Sequence, residues 1–111
     1  MKRSREYISP DNRLRLVVDY DEKDVRLGFE GFPWHTHADV LASQFGTSEK
    51  LAVERFVRDL LSDHSILAVS RIGGTIRDVW ITADPQSDLL YNSDDEVLEF
   101  RYWSGRQWKG A

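Results

Sequence analysis

The sequence predicts an α+β fold: a mostly antiparallel sheet of five or six strands with two consecutive helices on one face. Three observations carry that class. Apolar residues alternate with polar ones before residue 30, they recur every three or four positions between residues 36 and 61, and alternation returns after residue 65 around a Gly-Gly pair. Strands grouped at each end with helices between them, in the order β-β-β-α-α-β-β-β, favour segregation of the helices to one side of the sheet. A chain of 111 residues holds one such domain, spanning 1–111.

Tyr7 and Ile8 form a short first strand, ended by the turn-prone Ser9-Pro10-Asp11-Asn12. Leu14, Leu16, Val18 and Tyr20 mark the apolar face of a second strand, and Val25, Leu27 and Phe29 that of a third. The polar Asp21-Glu22-Lys23-Asp24 between them makes the two an antiparallel hairpin. Beyond Pro33, Ala38, Leu41, Ala42 and Phe45 share one helical face, with Thr36 as cap and Gly46 past the end. A second helix starts at Thr47 or Ser48 and carries the stripe Val53, Phe56, Val57, Leu60 and Leu61. Glu54 with Arg58, and Arg55 with Asp59, stand four apart on its outer side.

Residues 65–72 and 75–82 are β-prone runs joined by Gly73-Gly74, a pair suited to a two-residue hairpin turn. Counting back from that turn sets Ala68 beside Val79 and Ile66 beside Ile81, and places Leu67, Val69, Ile76 and Trp80 on the opposite face with Arg71 and Asp78. Residues 83–95, rich in Asp, Ser and Asn, read as an exposed loop interrupted by Leu89, Leu90 and Tyr91. A last strand over 96–103 sets Glu99, Arg101 and Trp103 on one face and Leu98, Phe100 and Tyr102 on the other.

Composition limits the chemistry. Ile, Leu, Val and Phe supply 30 of the 111 residues, enough to build a core without a metal or disulfide. Cysteine is absent, so disulfides, thiolate metal sites and Cys nucleophiles are excluded. A net charge of -4 disfavours nucleic acid and anionic membranes and favours a basic partner. The start MKRSR is not followed by an apolar stretch, and the longest aliphatic run is Ile66 to Val69 against the roughly 20 residues that span a bilayer. A cytoplasmic protein is the expectation.

The most enzyme-like string is Trp34-His35-Thr36-His37-Ala38-Asp39, because His-x-His-x-Asp can bring two imidazoles and a carboxylate to one metal ion. It resembles the first half of the metallo-β-lactamase-type motif, which continues with another His where this chain has Val40. Asp63-His64-Ser65 holds the side chains of a hydrolase triad, but consecutive residues do not converge on one substrate atom. The acidic Asp19, Asp21, Glu22 and Asp24 lack the Gly and terminal Glu of an EF-hand and read as a solvated turn. No phosphate-binding or dinucleotide glycine motif is present. Phe29, Phe32 and Trp34, set among Gly28, Gly31 and Pro33, read as a tight chain crossing over the core. The aromatic and basic run from Arg101 to Lys109 suits stacking on single strands, but no recognised RNA-binding motif accompanies it.

The expected function is therefore a non-enzymatic interaction protein, forming a homodimer or binding a protein partner as acidic inhibitors and immunity-type proteins do. Its open sheet face would use Trp80 and Trp103 as anchors, with Arg71, Arg101, Asp78 and Glu99 as polar contacts, since Trp and Arg dominate interface energetics. No cofactor is expected. The alternative is a small metal-dependent enzyme or ligand-binding protein centred on His35, His37 and Asp39.

Overall fold

In the computed structural model, which describes residues 3–110, the antiparallel strands divide between two sheets instead of joining in one. The first holds β1 (Arg3–Ile8), β2 (Arg15–Tyr20), β3 (Val25–Phe29) and β4 (His35–His37) in that spatial order. Two helices follow, α1 (Ala38–Phe45) and α2 (Glu49–Leu61). The second sheet is built from β5 (Ile66–Ile72), β6 (Thr75–Thr82) and β7 (Glu96–Arg101), with β5 central and a short helix α3 (Pro85–Leu90) between β6 and β7. The expected single sheet of five or six strands is thus corrected to sheets of four and three. Of the MKRSR start, Arg3 to Arg5 enter β1 and the first two residues lie outside the described ones.

Alternation builds the first sheet. Leu16 faces Phe29 and Val18 faces Leu27 across β2 and β3, and all four are buried, so one face of this pair is sealed by core. Thr36 does not cap α1, because it pairs with Leu27 as part of β4, and the capping position falls to His37, whose side chain makes no capping bond. Gly46 ends α1 as expected, in the left-handed conformation at φ 66° that glycine adopts without strain. Ser48 caps α2 by accepting a bond from the Leu51 N–H. Arg55 and Asp59 pair across one turn at 3.6 Å, whereas Glu54 and Arg58 form no pair among the described residues.

The Gly73-Gly74 turn forms as expected, with both residues at positive φ and Ile72 opposite Thr75. A bulge then intervenes. Arg71 faces Ile76 but Ser70 faces Asp78, so Arg77 is the extra residue, and beyond it the pairs become Val69 with Val79 and Ala68 with Trp80. One inserted residue reverses every later side chain. Leu67, Val69, Val79 and Ile81 therefore share the core face, and Trp80 and Asp78 turn to the opposite side with Ala68 and Ser70.

One hydrophobic cluster runs through both sheets and helices, joining Leu16 and Leu27 to Leu41, Phe56 and Leu60 and to Leu67, Val69 and Trp103. Polar bridges fasten the sheets outside it. The Arg101 guanidinium, 6% exposed, donates to Asp11 in the β1–β2 turn at 2.7 Å and to the carbonyls of Tyr102 and Trp103. Asp78 of β6 accepts from the Trp34 N–H ahead of β4, while Asp63, just past α2, accepts from both the N–H and the hydroxyl of Ser104 and so ties the end of that helix to the segment after β7.

The Arg101 bond, with help from the Ser9 hydroxyl, holds the Asp11 carboxyl far below the usual carboxylate range. A depressed carboxyl stabilises the fold above its unfolded pKa near 3.9 and loses that contribution only as pH falls below it. Asp11→Ala should therefore cost about 1.5–3 kcal/mol at neutral pH, the usual range for a charged hydrogen bond. Urea unfolding should show the gap between wild type and variant narrowing as pH falls below about 4. A gap that stays constant down to pH about 2 would show that the ion pair is not its source.

Candidate functional site

The enzyme-like residues are scattered. His35 and His37 point to the outward face of the first sheet, their rings edge to face at 5.1 Å. His35 Nδ1 lies 3.1 Å from the Pro33 carbonyl, and His37 Nδ1 lies 2.8 Å from Asp24 in the β2–β3 turn. Arg26 stands opposite His37 in the register, a cation beside any metal that would bind there. Asp39 turns away into the first turn of α1, its carboxylate accepting from the Val40 N–H. Among the described residues no group of three His, Asp or Glu side chains is placed to hold a metal ion. His64 bonds to Ser62 at the end of α2, and Asp63 is taken up by Ser104, so the two do not act together.

The expected sheet-face contacts separate in the same way. Trp103 is 3% exposed within the core, and Arg101 is buried in the bridge to Asp11, so neither can meet a partner on an open face. Arg71 and Glu99 pair with each other at 3.2 Å across β5 and β7. Trp80 and Asp78 remain half-buried on the side facing away from the core. The Arg101 to Lys109 run is also engaged within the chain, with Trp108 packed edge-on against Phe100 and Arg106 over the Tyr102 ring. Phe29 and Trp34 stack at 6.0 Å as part of the crossing over the core.

The structure adds a feature that the loop reading of residues 83–95 missed. Asp84 caps α3 by accepting from the Ser87 N–H, and Pro85 occupies its first turn, where the missing N–H costs nothing. The short helix leaves Leu90 79% and Tyr91 85% exposed, with Leu89 half-exposed beside them. Trp80 is tied to it, its indole N–H donating to Asp88 at 3.3 Å. A cavity of about 390 Å³ opens among Ser70, Asp78, Trp80, Tyr91 and Glu96, and the buried Ser70 hydroxyl bonds to the Glu96 carboxylate within it.

Charge around this feature has one sign. Residues 78–100 contain seven carboxylates, Asp78, Asp84, Asp88, Asp94, Asp95, Glu96 and Glu99, and no Lys or Arg. Only Glu99 has a basic partner, Arg71, among the described residues. Among the described residues, Arg77, at the bulge, is the one cation bordering the cavity.

No family model matches this chain, and no curated protein or solved structure is significantly similar to it. Among the described residues no helix is long and apolar enough to cross a membrane.

Proposed function

We propose that the chain is a protein-interaction module that binds a basic partner surface through α3 and the adjoining Trp80 side of the second sheet. The observation that carries this reading is the exposure of Leu89, Leu90 and Tyr91, three consecutive large apolar side chains, within an acidic stretch that has almost no internal neutralisation. The core closes without them, so their apolar surface is available at no cost to the fold. Large aromatic anchors inside a polar rim are the usual anatomy of a binding surface. Asp78 and Glu96 supply part of that rim, and Trp80, held by Asp88, gives it a fixed floor. Unpaired carboxylates raise the local negative potential, which attracts a basic partner and rejects an acidic one. This is the manner of binding of acidic inhibitors and immunity-type proteins.

The test is an NMR titration of the ¹⁵N-labelled protein with the amphipathic peptide acetyl-Lys-Leu-Lys-Phe-Lys-Leu-Lys-amide. The Trp80 indole N–H and the amides of α3 should shift. The double variant Leu90→Asp, Tyr91→Ala should bind at least about 30-fold more weakly, the equivalent of a 2 kcal/mol anchor. Its stability should stay within about 0.5 kcal/mol of wild type, as for other exposed substitutions. Equal affinity for variant and wild type, or shifts confined to other elements, would overturn the reading.

A further inference from the structure

A second surface lies apart from α3. β1 is the outermost strand of the first sheet, and among the described residues its outer edge carries no partner strand. Arg3, Arg5 and Tyr7 face Tyr20, Val18 and Leu16 in the register, so they point to the same side as the core residues of β2. α2 does not close over them. Two cavities of about 530 and 580 Å³ lie between β1 and α2 and share Arg5, Tyr20, Val53 and Glu54, which makes them one continuous groove. Its floor is apolar, formed by Val25, Val53, Val57 and the rings of Tyr7 and Tyr20.

The charge of this groove runs against that of the chain. Arg3, Arg5, Lys50 and Arg58 line it against Glu49 and Glu54, an excess of two positive charges in a protein of net charge -4. None of the six forms an ion pair among the described residues. Arg3 lies over the Tyr20 ring at 5.3 Å, and Arg5 sits beside the phenols of Tyr7 and Tyr20.

From these observations we infer that the groove accepts an extended acidic segment of another protein, added as a fifth strand on β1. An edge strand supplies main-chain hydrogen bonds, and side-chain positions alternating along it supply specificity. Arg3 and Arg5 stand two residues apart on one face, a spacing of about 6.8 Å along a strand, so they meet carboxylates two residues apart on an antiparallel partner. The partner position opposite Tyr7 is apolar and reaches the groove floor. The matching pattern is therefore apolar-x-acidic-x-acidic, read in the partner's own direction. A second copy of the chain fits poorly, because its β1 would bring two more arginines to the same edge, and like charges facing each other across strands destabilise the pair.

Inward-pointing charges on an edge strand also serve to prevent pairing. The experiment separates the two roles. The peptide acetyl-Thr-Leu-Thr-Glu-Thr-Glu-Thr-amide is titrated into the full chain, with the same peptide carrying Lys for both Glu as its control. The Glu peptide should bind about tenfold or more tightly than the Lys peptide, and should lose that advantage in the variant Arg3→Gln, Arg5→Gln. The preference should weaken when salt rises from about 50 to 500 mM. Amide shifts should fall on β1 and α2, and the Leu90→Asp, Tyr91→Ala variant should bind the Glu peptide as wild type does, so failure here is distinct from failure of the α3 surface. Absence of binding by a folded protein, or equal binding of the Glu and Lys peptides, would assign Arg3 and Arg5 to edge protection alone and overturn the inference.

Discussion

Trp103→Ala is expected to remove about 3–5 kcal/mol of stability, the cost of deleting a large ring from a closed core. Trp103 lies two residues past the end of β7, is 3% exposed, and belongs to the cluster that joins the two sheets to the helices. Its carbonyl also accepts from Arg101, so collapse of the cavity would disturb the bridge to Asp11. Against a total of about 5–15 kcal/mol for a domain of ordinary stability, the variant should be largely or partly unfolded near 37 °C. Urea unfolding measures this directly. Trp80→Ala should behave in the opposite sense, because its ring is half-buried outside the core cluster: a smaller loss of stability and a larger loss of partner binding. A loss below about 1 kcal/mol for Trp103→Ala would mean that the two sheets do not share one core.

Phe56→Ala is expected to cost a similar 3–5 kcal/mol. Phe56 is buried near the middle of α2, among Ala52, Val53 and Leu60. Alanine is the best helix former, so the substitution favours the helix itself, and the whole observed loss is one of packing. Leu51→Ala on the exposed side of the same helix is the matched control, since Leu51 is 55% exposed, and it should change stability by no more than about 0.5 kcal/mol. If the two variants are equally mild, α2 does not pack on the core through this stripe.

Much of this core was legible from side-chain spacing. Alternation over Leu14 to Phe29 and the helical stripe from Val53 to Leu61 each report one apolar face, and the structure turns those faces to the core except at Leu61, which is 43% exposed at the end of α2. Spacing does not report which strands exchange hydrogen bonds, so the division into two sheets was out of reach. β4 is three residues long, too short for alternation to register, and it takes up Thr36, the residue that otherwise suits a helix cap. The bulge at Arg77 carries no glycine to announce it, yet it moves Trp80 across the sheet. The buried role of Arg101 depends on Asp11, ninety positions away in sequence, a separation that local patterns cannot bridge. Helix α3 did leave a signal. Asp84 followed by Pro85 is a capping residue ahead of a residue suited to the first helical position, and the Asp- and Ser-rich composition around it masked that pair.

The same distinction holds for the functional residues. Trp80 and Asp78 stay together at the candidate surface, but their company is Tyr91 and Glu96 and not Trp103 and Arg101, because the bulge reversed β6 while β7 kept its expected alternation. His35, His37 and Asp39 share a short stretch of sequence that crosses from strand to helix, and that change of direction parts the carboxylate from the imidazoles.

The central claim is that α3 and its acidic surroundings form the recognition surface, and selection of random displayed peptides on the immobilised protein tests it without presupposing a partner. Peptides enriched on wild type should be rich in Lys or Arg with an aromatic or aliphatic anchor, and they should be released when the Leu90→Asp, Tyr91→Ala variant replaces wild type. Enrichment of sequences without positive charge, or of sequences held equally well by the folded variant, would contradict it.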